Sequence, residues 1–411
     1  MAALKGKTIV VGVSGGIAAY KAAELVRLLT THGARVRVMM TRNATEFITP
    51  LTLQTLSLNP VATDTFSLTQ ESEIGHIRLA DSAHAIVMAP ASANVIAKAA
   101  NGIADDIVTT VLLAAQCPIA FAPAMNVHMY AHPTVVENLA RLRERGITII
   151  EPGEGALACG YEGKGRLVDP PVIVTELERM LTRQDLAGER LLITAGPTQE
   201  AIDPVRFVSN RSTGKMGFAI ARAARRRGAA VKLIAGPSSV ARPYGVEHFG
   251  TVTAAEMLST TASHFPWCSA LVMAAAVADF RPRNPAPHKL KKDQQGMQLD
   301  LAPIADELPR LAERKGDRLM IGFAAETVDL EVNALDKLRR KNLDMIVGND
   351  VSRSDAGFAV DTNIVTILTA DGRIETTPKL LKDEVADLIL DRLAALREAR
   401  KSPAGLRVAG S

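Results

Sequence analysis

Short apolar runs alternate along this chain with longer stretches in which apolar residues recur every three or four positions. Thr8–Val13, Arg35–Met40, Ala85–Ala89, Pro118–Ala122 and Thr148–Ile150 are short and rich in Val and Ile, and read as strands. Ile17–Leu29 with its extension to Thr31, Ala93–Asn101, Asp105–Ala115 and Pro133–Arg145 carry the helical period. Nearly continuous hydrophobic strands separated by helices belong to parallel sheets covered on both faces. The pattern starts again at Arg190. Strands are predicted at Arg190–Ala195, Ala230–Ala235, Ala270–Ala275, Leu319–Phe323, Met345–Gly348 and Asn363–Leu368. Helices are predicted at Met216–Arg227, Ala254–His264, Ile304–Lys315, Asp329–Lys341 and Lys379–Arg397. The fold class is therefore α/β: two doubly wound, mostly parallel-sheet, Rossmann-like domains.

Two segments break the periodicity. Glu151–Gly165 is glycine-rich around a single cysteine and reads as a mobile flap. Phe280–Gly296 is basic and proline-rich, too long for a simple connector, and reads as a lid over strand ends. Pro170–Leu181 looks like a closing helix and the polar Thr182–Glu189 like a linker. The expected domains are 1–189 and 190–400, with a disordered tail over 401–411.

Composition narrows the class of ligand. At 411 residues, two cores are the natural expectation. A net charge of +4 is mild, and 4% aromatic residues offer little stacking surface, so small anions fit better than nucleic acid. The first strand begins at Thr8 and no uncharged run is long enough for a bilayer, so neither a signal peptide nor a membrane span is expected. Cys117, Cys159 and Cys268 form no disulfide framework or zinc set, which points to a reducing, cytoplasmic setting.

Both domains open with a strand running through a turn into a helix. The first does so at Ser14-Gly15-Gly16, the second through Ser209-Asn210-Arg211-Ser212-Thr213-Gly214-Lys215. Backbone N–H groups at a helix start, aided by the helix dipole, favour a phosphate. Two such openings imply two phosphorylated ligands and two reactions. Neither is a Walker A loop or a Gly-x-Gly-x-x-Gly fingerprint, which argues against an NAD-dependent reductase on a doubled scaffold. A non-catalytic, nucleic-acid-binding flavoprotein is the other alternative; it predicts binding that falls steeply with salt.

Each candidate residue also has a plainer reading. Cys117 and Cys268 lie beside apolar runs and read as core filler. Cys159, flanked by glycines with Lys164 and Arg166 nearby, reads as a reactive thiol rather than a chance surface one. Asn126, after the apolar run ending at Pro123, suits a helix cap, but it stands where a strand end faces a ligand. His76 alone is more often structural. Ser212 and Thr213 are good helix caps, a role compatible with phosphate binding. Asp279 suits a turn, and His288–Lys292 a solvated charge run, although in a lid that run can place lysine on a triphosphate.

Taken together, Ser14–Lys21, Pro90–Asn94 with Gly102–Asp106, Pro123–Asn126 and the Cys159 flap resemble the homo-oligomeric flavin-containing cysteine decarboxylases. The second half resembles phosphopantothenate–cysteine ligases. The chain apart from its tail thus resembles the bacterial bifunctional phosphopantothenoylcysteine decarboxylase/phosphopantothenate–cysteine ligases of coenzyme A synthesis. For the first domain this implies FMN over Ser14, Gly15, Gly16, Thr41, Ser92, Ala93, Asn94 and Met125. The substrate's cysteine thiol passes a hydride to the flavin, CO2 leaves, and Cys159 protonates the resulting enethiolate before the hydride returns. His76 matches the family's candidate base, and Asn126 its carboxylate-holding asparagine. Tyr130 stands where many members carry tryptophan.

For the second domain the resemblance implies CTP along Met273, Ala274, Ala275, Asp279, Lys289, Pro303, Ile304, Ala305, Asp306, Phe323, Lys337 and Lys341. The carboxylate of phosphopantothenate attacks the α-phosphorus, releasing pyrophosphate. The amine of cysteine then displaces CMP. Lys289 takes part in the first step, Asn210 in the use of the acyl-cytidylate, and Asn210, Ser212, Thr213 and Gly214 bind phosphopantothenate. Asp is common directly after Pro303 in the family, and here Ile304 stands there. The resemblance also implies Mg2+ with the CTP, small-molecule partners only, and a homo-oligomer, dodecameric from trimers of the first domain and dimers of the second.

Overall fold

The computed structural model describes residues 2–65, 75–156, 160–292, 297–304, 308–326, 330–350 and 360–401. The chain divides into two compact units, Met1–Arg183 and Gln184–Ser411.

The first unit is built on β1 (Thr8–Val13), β2 (Arg35–Met40), β3 (Val61–Ala62), β4 (Ala85–Ala91), β5 (Ile119–Pro123) and β6 (Thr148–Ile149). They form one sheet in the order β3-β2-β1-β4-β5-β6, parallel throughout. Every residue of β1 is buried because alternation serves two helix layers. Ile9, Val11 and Val13 pack with Leu25, Leu29, Ile173 and Leu177 of helices Lys21–Thr31 and Pro170–Met180. Val10 faces the other way, among Ile96, Val108 and Leu139. The strand order reverses between β1 and β4, and ligands of such sheets sit beyond the carboxyl ends at that reversal.

Part of the segment expected to be an unpatterned flap is an antiparallel hairpin, β7 (Gly153–Ala156) on β8 (Glu162–Arg166), with Gly155 opposite Gly163. A strand made largely of glycine and charged residues has no apolar alternation to read. Helices Pro50–Ser57 and His76–Ser82 also escaped the pattern, being only two turns each.

The second unit contains β9 (Arg190–Ala195), the hairpin β10 (Gln199–Ala201) and β11 (Phe207–Ser209), β12 (Ala230–Ala235), β13 (Glu247–Gly250) and β14 (Ala270–Met273). There follow β15 (Phe280–Pro282), β16 (Leu301–Pro303), β17 (Leu319–Glu326), β18 (Met345–Asp350), β19 (Thr362–Asn363), β20 (Val365–Thr369), β21 (Ile374–Thr376) and β22 (Leu380–Leu381). The main sheet runs β13-β12-β9-β14-β17-β18-β20-β21. Its first six strands are parallel, and β20 and β21 close the edge antiparallel. One face packs against helices Lys215–Arg226 and Lys382–Lys401 through Ile193, Val272, Val347, Phe218 and Ile389. The other carries Leu192, Leu271 and Ile346 against Met257, Ala334 and Leu338 of helices Ala254–His264 and Leu330–Arg340.

The polar segment read as a linker is largely part of the second unit. Leu186 is buried in its core, Leu186 N–H donates to Arg227 O at 3.0 Å, and Asp185 pairs with Arg227 at 2.6 Å. The loop from Phe280 starts as β15, which pairs antiparallel with β16. The helix expected from Ile304 is described from Leu308 to Glu313.

Candidate functional site

In the first unit the carboxyl ends of β1, β2, β4 and β5 bring the expected flavin residues onto one rim. Ser14 is buried, donates its hydroxyl to Pro90 O at 2.7 Å, and accepts the Ser92 N–H at 2.8 Å. Its hydroxyl thus clasps β1 to β4 across the sheet reversal. Ser92 caps the Ala93–Asn101 helix, accepting from Val95 N–H at 3.4 Å. A Cβ on Gly15 would lie 2.5 Å from Asn43 Cβ, whereas one on Gly16 would meet open space. Glycine at 15 therefore lets the turn close on the β2 loop while Gly16 stays open. Thr41 is buried, yet its Oγ1 has no hydrogen-bond partner among the described residues. An orphaned buried hydroxyl beside a glycine turn is what a polar ligand would satisfy.

Met125 N–H donates to Gly165 O at 2.9 Å. Gly165 must be glycine, because a Cβ there would stand 2.4 Å from Met125 O. The returning strand of the hairpin thus rests on the Pro123–Asn126 loop. Asn126 does cap a helix, its Oδ1 accepting from His128 N–H at 2.8 Å, and the loop holds it at the β5 end. His128 meets Tyr161 of the flap edge-on at 5.2 Å between ring centres. Tyr130 donates to Glu151 at 3.0 Å, and burial with this bond pushes its phenol up to about 12. Glu151 also pairs with Arg143 at 2.5 Å and with Lys164 of β8 at 2.7 Å. His76 is half-buried at the first turn of its helix. Cys159 lies outside the described residues. Cys268 is buried and its thiol is pushed up to about 11 by that burial; Cys117 is half-buried and shifted the same way, as core residues should be.

In the second unit a cavity of about 680 Å3 opens at the reversal between β9 and β14. It gathers Met273, Ala274, Ala275, Asp279, Ile304, Phe323, Lys337 and Lys341 from the expected nucleotide set, and all four of Asn210, Ser212, Thr213 and Gly214. Among its described lining residues, five cationic side chains face the single carboxylate of Asp279, which suits anionic ligands. Pro303 instead lines an adjoining cavity of about 590 Å3, which shares Ile304. Ala305 and Asp306 lie outside the described residues.

Ser212 and Thr213 do not cap the helix. Its cap residue is Gly214 at φ 81°, which has no side chain to cap with. Ser212 Oγ accepts from Gly214 N–H at 3.3 Å and Thr213 O accepts from Ser238 at 2.7 Å. The reason is steric: the chain enters left-handed, and glycine takes that conformation without Cβ strain. The first residues of the helix, Lys215 and Met216, line the cavity. Asn210 Nδ2 donates to Ala276 O and Val277 O, each at 3.1 Å, which holds its amide over the strand-end loop.

Lys289 is exposed and does not line the cavity as described. Its neighbour Leu290 is tied at both ends of its peptide: N–H to Asp203 at 3.1 Å, and O accepting from Arg206 at 2.7 Å. Arg206 holds the Asp203 carboxyl well below its ordinary range. Sequence reasoning missed Arg211, Lys215, Asn349, Asn363 and Lys382, all of which line the cavity. Arg211 and Lys215 were within reach, because they belong to the loop and helix start already singled out; Asn349, Asn363 and Lys382 come from distant parts of the chain and carried no local signal.

The comparisons agree with this division. Residues 2–182 match the flavoprotein family, and residues 186–396 match the DNA/pantothenate metabolism flavoprotein C-terminal domain. The chain is 50% identical over 397 residues to the coenzyme A biosynthesis bifunctional protein CoaBC of Bacillus subtilis (strain 168), covering 96% of this chain and 98% of that protein. It is 44% identical over 395 residues to the protein of the same name from Escherichia coli (strain K12), covering 95% and 97%. A solved C-terminal domain of a CoaBC protein is 41% identical, with a TM-score of 0.45, covering 52% of this chain and 98% of that one. With near-complete overlap at this identity, and with each of its two units matched to its own family, the chain belongs to the coenzyme A biosynthesis bifunctional proteins.

Proposed function

We propose that the second unit joins cysteine to 4'-phosphopantothenate at the expense of CTP, and that the first unit decarboxylates the 4'-phosphopantothenoylcysteine so formed to 4'-phosphopantetheine. The observation that carries this reading is the cationic cavity at the rim of the second sheet. It is large enough for two ligands, and it brings twelve residues expected from distant parts of the sequence to one place.

A carboxylate is a poor acyl donor, so it must first be activated. The phosphopantothenate carboxylate attacks the α-phosphorus of CTP and pyrophosphate leaves; the cysteine amine then attacks the acyl carbon and CMP leaves. Lys337 and Lys341 offset the triphosphate's charge, and Lys337 is held in place by donating to Phe323 O at 2.9 Å. Asn210 orients the acyl group from its fixed position. Lys289 reaches the phosphates from a loop anchored by Asp203 and Arg206. Mg2+ enters with the CTP.

The first rim fits FMN on two features of this chain: the orphaned Thr41 hydroxyl and the Gly15–Gly16 turn, closed on one side and open on the other. Ser14, Gly15, Gly16, Thr41, Ser92, Ala93, Asn94 and Met125 would hold it. When bound, FMN supplies the two-electron oxidation and re-reduction that make loss of CO2 possible. Asn126 holds the substrate carboxylate, His76 takes the thiol proton, and Cys159 delivers a proton to carbon after CO2 has left. No described helix is long and apolar enough to cross a membrane. A cytoplasmic homo-oligomer, dodecameric by the resemblance, completes the proposal.

The test is purified protein given phosphopantothenate, cysteine and CTP with Mg2+. CMP, pyrophosphate and CO2 should appear in equal amounts, and the protein should be yellow. A colourless protein that takes up no FMN and releases neither CMP nor CO2 would overturn the reading.

A further inference from the structure

Glu151 stands at the root of the β7–β8 hairpin, two positions beyond the end of β6 and two before the start of β7. Its carboxylate takes donors from three elements. Oε1 accepts from Arg143 of helix Pro133–Glu144 at 2.5 Å. Oε2 accepts from the Tyr130 hydroxyl at 3.0 Å and pairs with Lys164 of β8 at 2.7 Å. The Lys164 ammonium also lies 5.7 Å from the centre of the Tyr130 ring. These side chains are half exposed, and an ion pair of that kind taken singly adds little. One carboxylate shared by three donors is different, because its loss frees all three at once.

Two of the donors bracket Asn126. On one side, β8 is seated on the loop that presents it. Met125 N–H donates to Gly165 O at 2.9 Å, a Cβ on Gly165 would stand 2.4 Å from Met125 O, and one on Gly163 would stand 3.1 Å from Val127 Cγ1. The strand therefore lies against both chain neighbours of Asn126. On the other side, Tyr130 N–H donates to Asn126 O at 3.0 Å. Glu151 ties the two brackets together, through Lys164 to the first and through Tyr130 to the second.

We propose that Glu151 is a positioning residue of the decarboxylase site. By gathering Lys164 and Tyr130 on one carboxylate it fixes the Met125–Val127 loop, and with it the Asn126 amide that receives the substrate carboxylate. The proposal rests on the decarboxylase reading above. Among the described residues Glu151 bonds to Tyr130, Arg143 and Lys164, none of them an expected flavin or substrate contact, so its effect reaches the substrate through the loop.

The test uses the full-length, FMN-loaded protein with Glu151→Ala, Lys164→Met and the double variant, given phosphopantothenoylcysteine. For Glu151→Ala KM should rise about 10-fold, the scale of one weakened charge-assisted hydrogen bond. The value of kcat should stay within about threefold, because a carboxylate held alike before and during the reaction is uniform binding. Lys164→Met should raise KM in the same direction, and the double variant should lie within about twofold of Glu151→Ala, since both changes remove one network. FMN affinity and CMP release should match wild type, which separates positioning from general loss of structure. Glu151→Gln, which keeps an acceptor but removes the charge, supplies the same KM reading should the alanine variant not fold. Hydrogen exchange gives a measure independent of turnover: the Met125 amide should exchange faster in Glu151→Ala than in wild type. An unchanged KM, additive effects in the double variant, or undiminished protection of the Met125 amide would overturn the proposal. If wild type releases no CO2 from supplied phosphopantothenoylcysteine while the variant deprotects Met125, the decarboxylase reading fails and the loop-fixing role of Glu151 stands.

Discussion

Replacing Thr41 with Val should move stability and flavin affinity in opposite directions. Thr41 is 8% exposed at the end of β2, and its hydroxyl makes no hydrogen bond among the described residues. Leaving a buried hydroxyl unsatisfied costs about 1–3 kcal/mol. Valine keeps the branched shape and removes the penalty, so the flavin-free first unit should gain about 1 kcal/mol at the low end of that range. For a unit of this size, that is a rise in Tm of about 2–4 °C. The same change deletes the group that meets the cofactor, and a lost hydrogen bond of about 1–2 kcal/mol weakens FMN binding roughly 5- to 30-fold. Differential scanning fluorimetry on protein stripped of flavin reads the first effect, and quenching of FMN fluorescence on titration reads the second. A lower Tm in the flavin-free variant would show that the hydroxyl is already satisfied. Unchanged FMN affinity would remove Thr41 from the cofactor site.

Four further outcomes are expected. Cys159→Ser should abolish 4'-phosphopantetheine formation while CMP release continues, which product analysis by mass spectrometry checks; normal decarboxylation would dismiss the thiol. Lys289→Gln should reduce CMP release by about 100-fold, the scale of one lost electrostatic stabiliser, and leave decarboxylation of supplied phosphopantothenoylcysteine intact. Asp203→Asn should loosen the lid: its carboxylate is held ionised by Arg206, so the tie is present at neutral pH and lost only in acid well below the usual carboxylate range, and the variant should show faster proteolysis near Leu290 and slower CMP release at pH 7. Burial, helped by Lys215 and opposed by Asp361, lowers Lys382 to about 8. Its charge is therefore lost as pH rises through that value, and urea denaturation of wild type and Lys382→Met between about pH 7 and 11 should read the difference. A lysine depressed in the fold binds fewer protons there than when unfolded, so this group's contribution to stability improves between about pH 8 and the ordinary lysine range near 10.4.

Wherever one local rule dominates, the pattern of residues was enough. The strands Thr8–Val13, Arg35–Met40, Arg190–Ala195 and Ala230–Ala235 stand as predicted, because each is a short, mostly buried run of Val, Ile, Leu or Met, with charged residues only where burial is incomplete, as at Arg35, Arg37, Arg190 and Lys232. Helices Ala93–Asn101 and Ala254–His264 do too, each started by a hydroxyl cap at Ser92 or Thr253. The glycine turns that mark both candidate sites were legible for the same reason, since their geometry depends on nearest neighbours along the chain.

Other features were settled only by packing. The β7–β8 hairpin is defined by how closely Gly165 approaches Met125, a contact between segments about forty residues apart. The choice of Gly214 rather than Ser212 or Thr213 as helix cap depends on how the chain enters past Gly196, which lies 3.2 Å from where a Cβ on Gly214 would stand. Lys382 and Asn349 reach the cavity because an antiparallel edge and a final helix fold back onto a parallel sheet. Hydrophobic period records which face of an element is buried, and turn chemistry records where it ends. Neither records which distant polar side chains converge at the rim, because that depends on strand order and helix placement, fixed by the summed burial of the whole core.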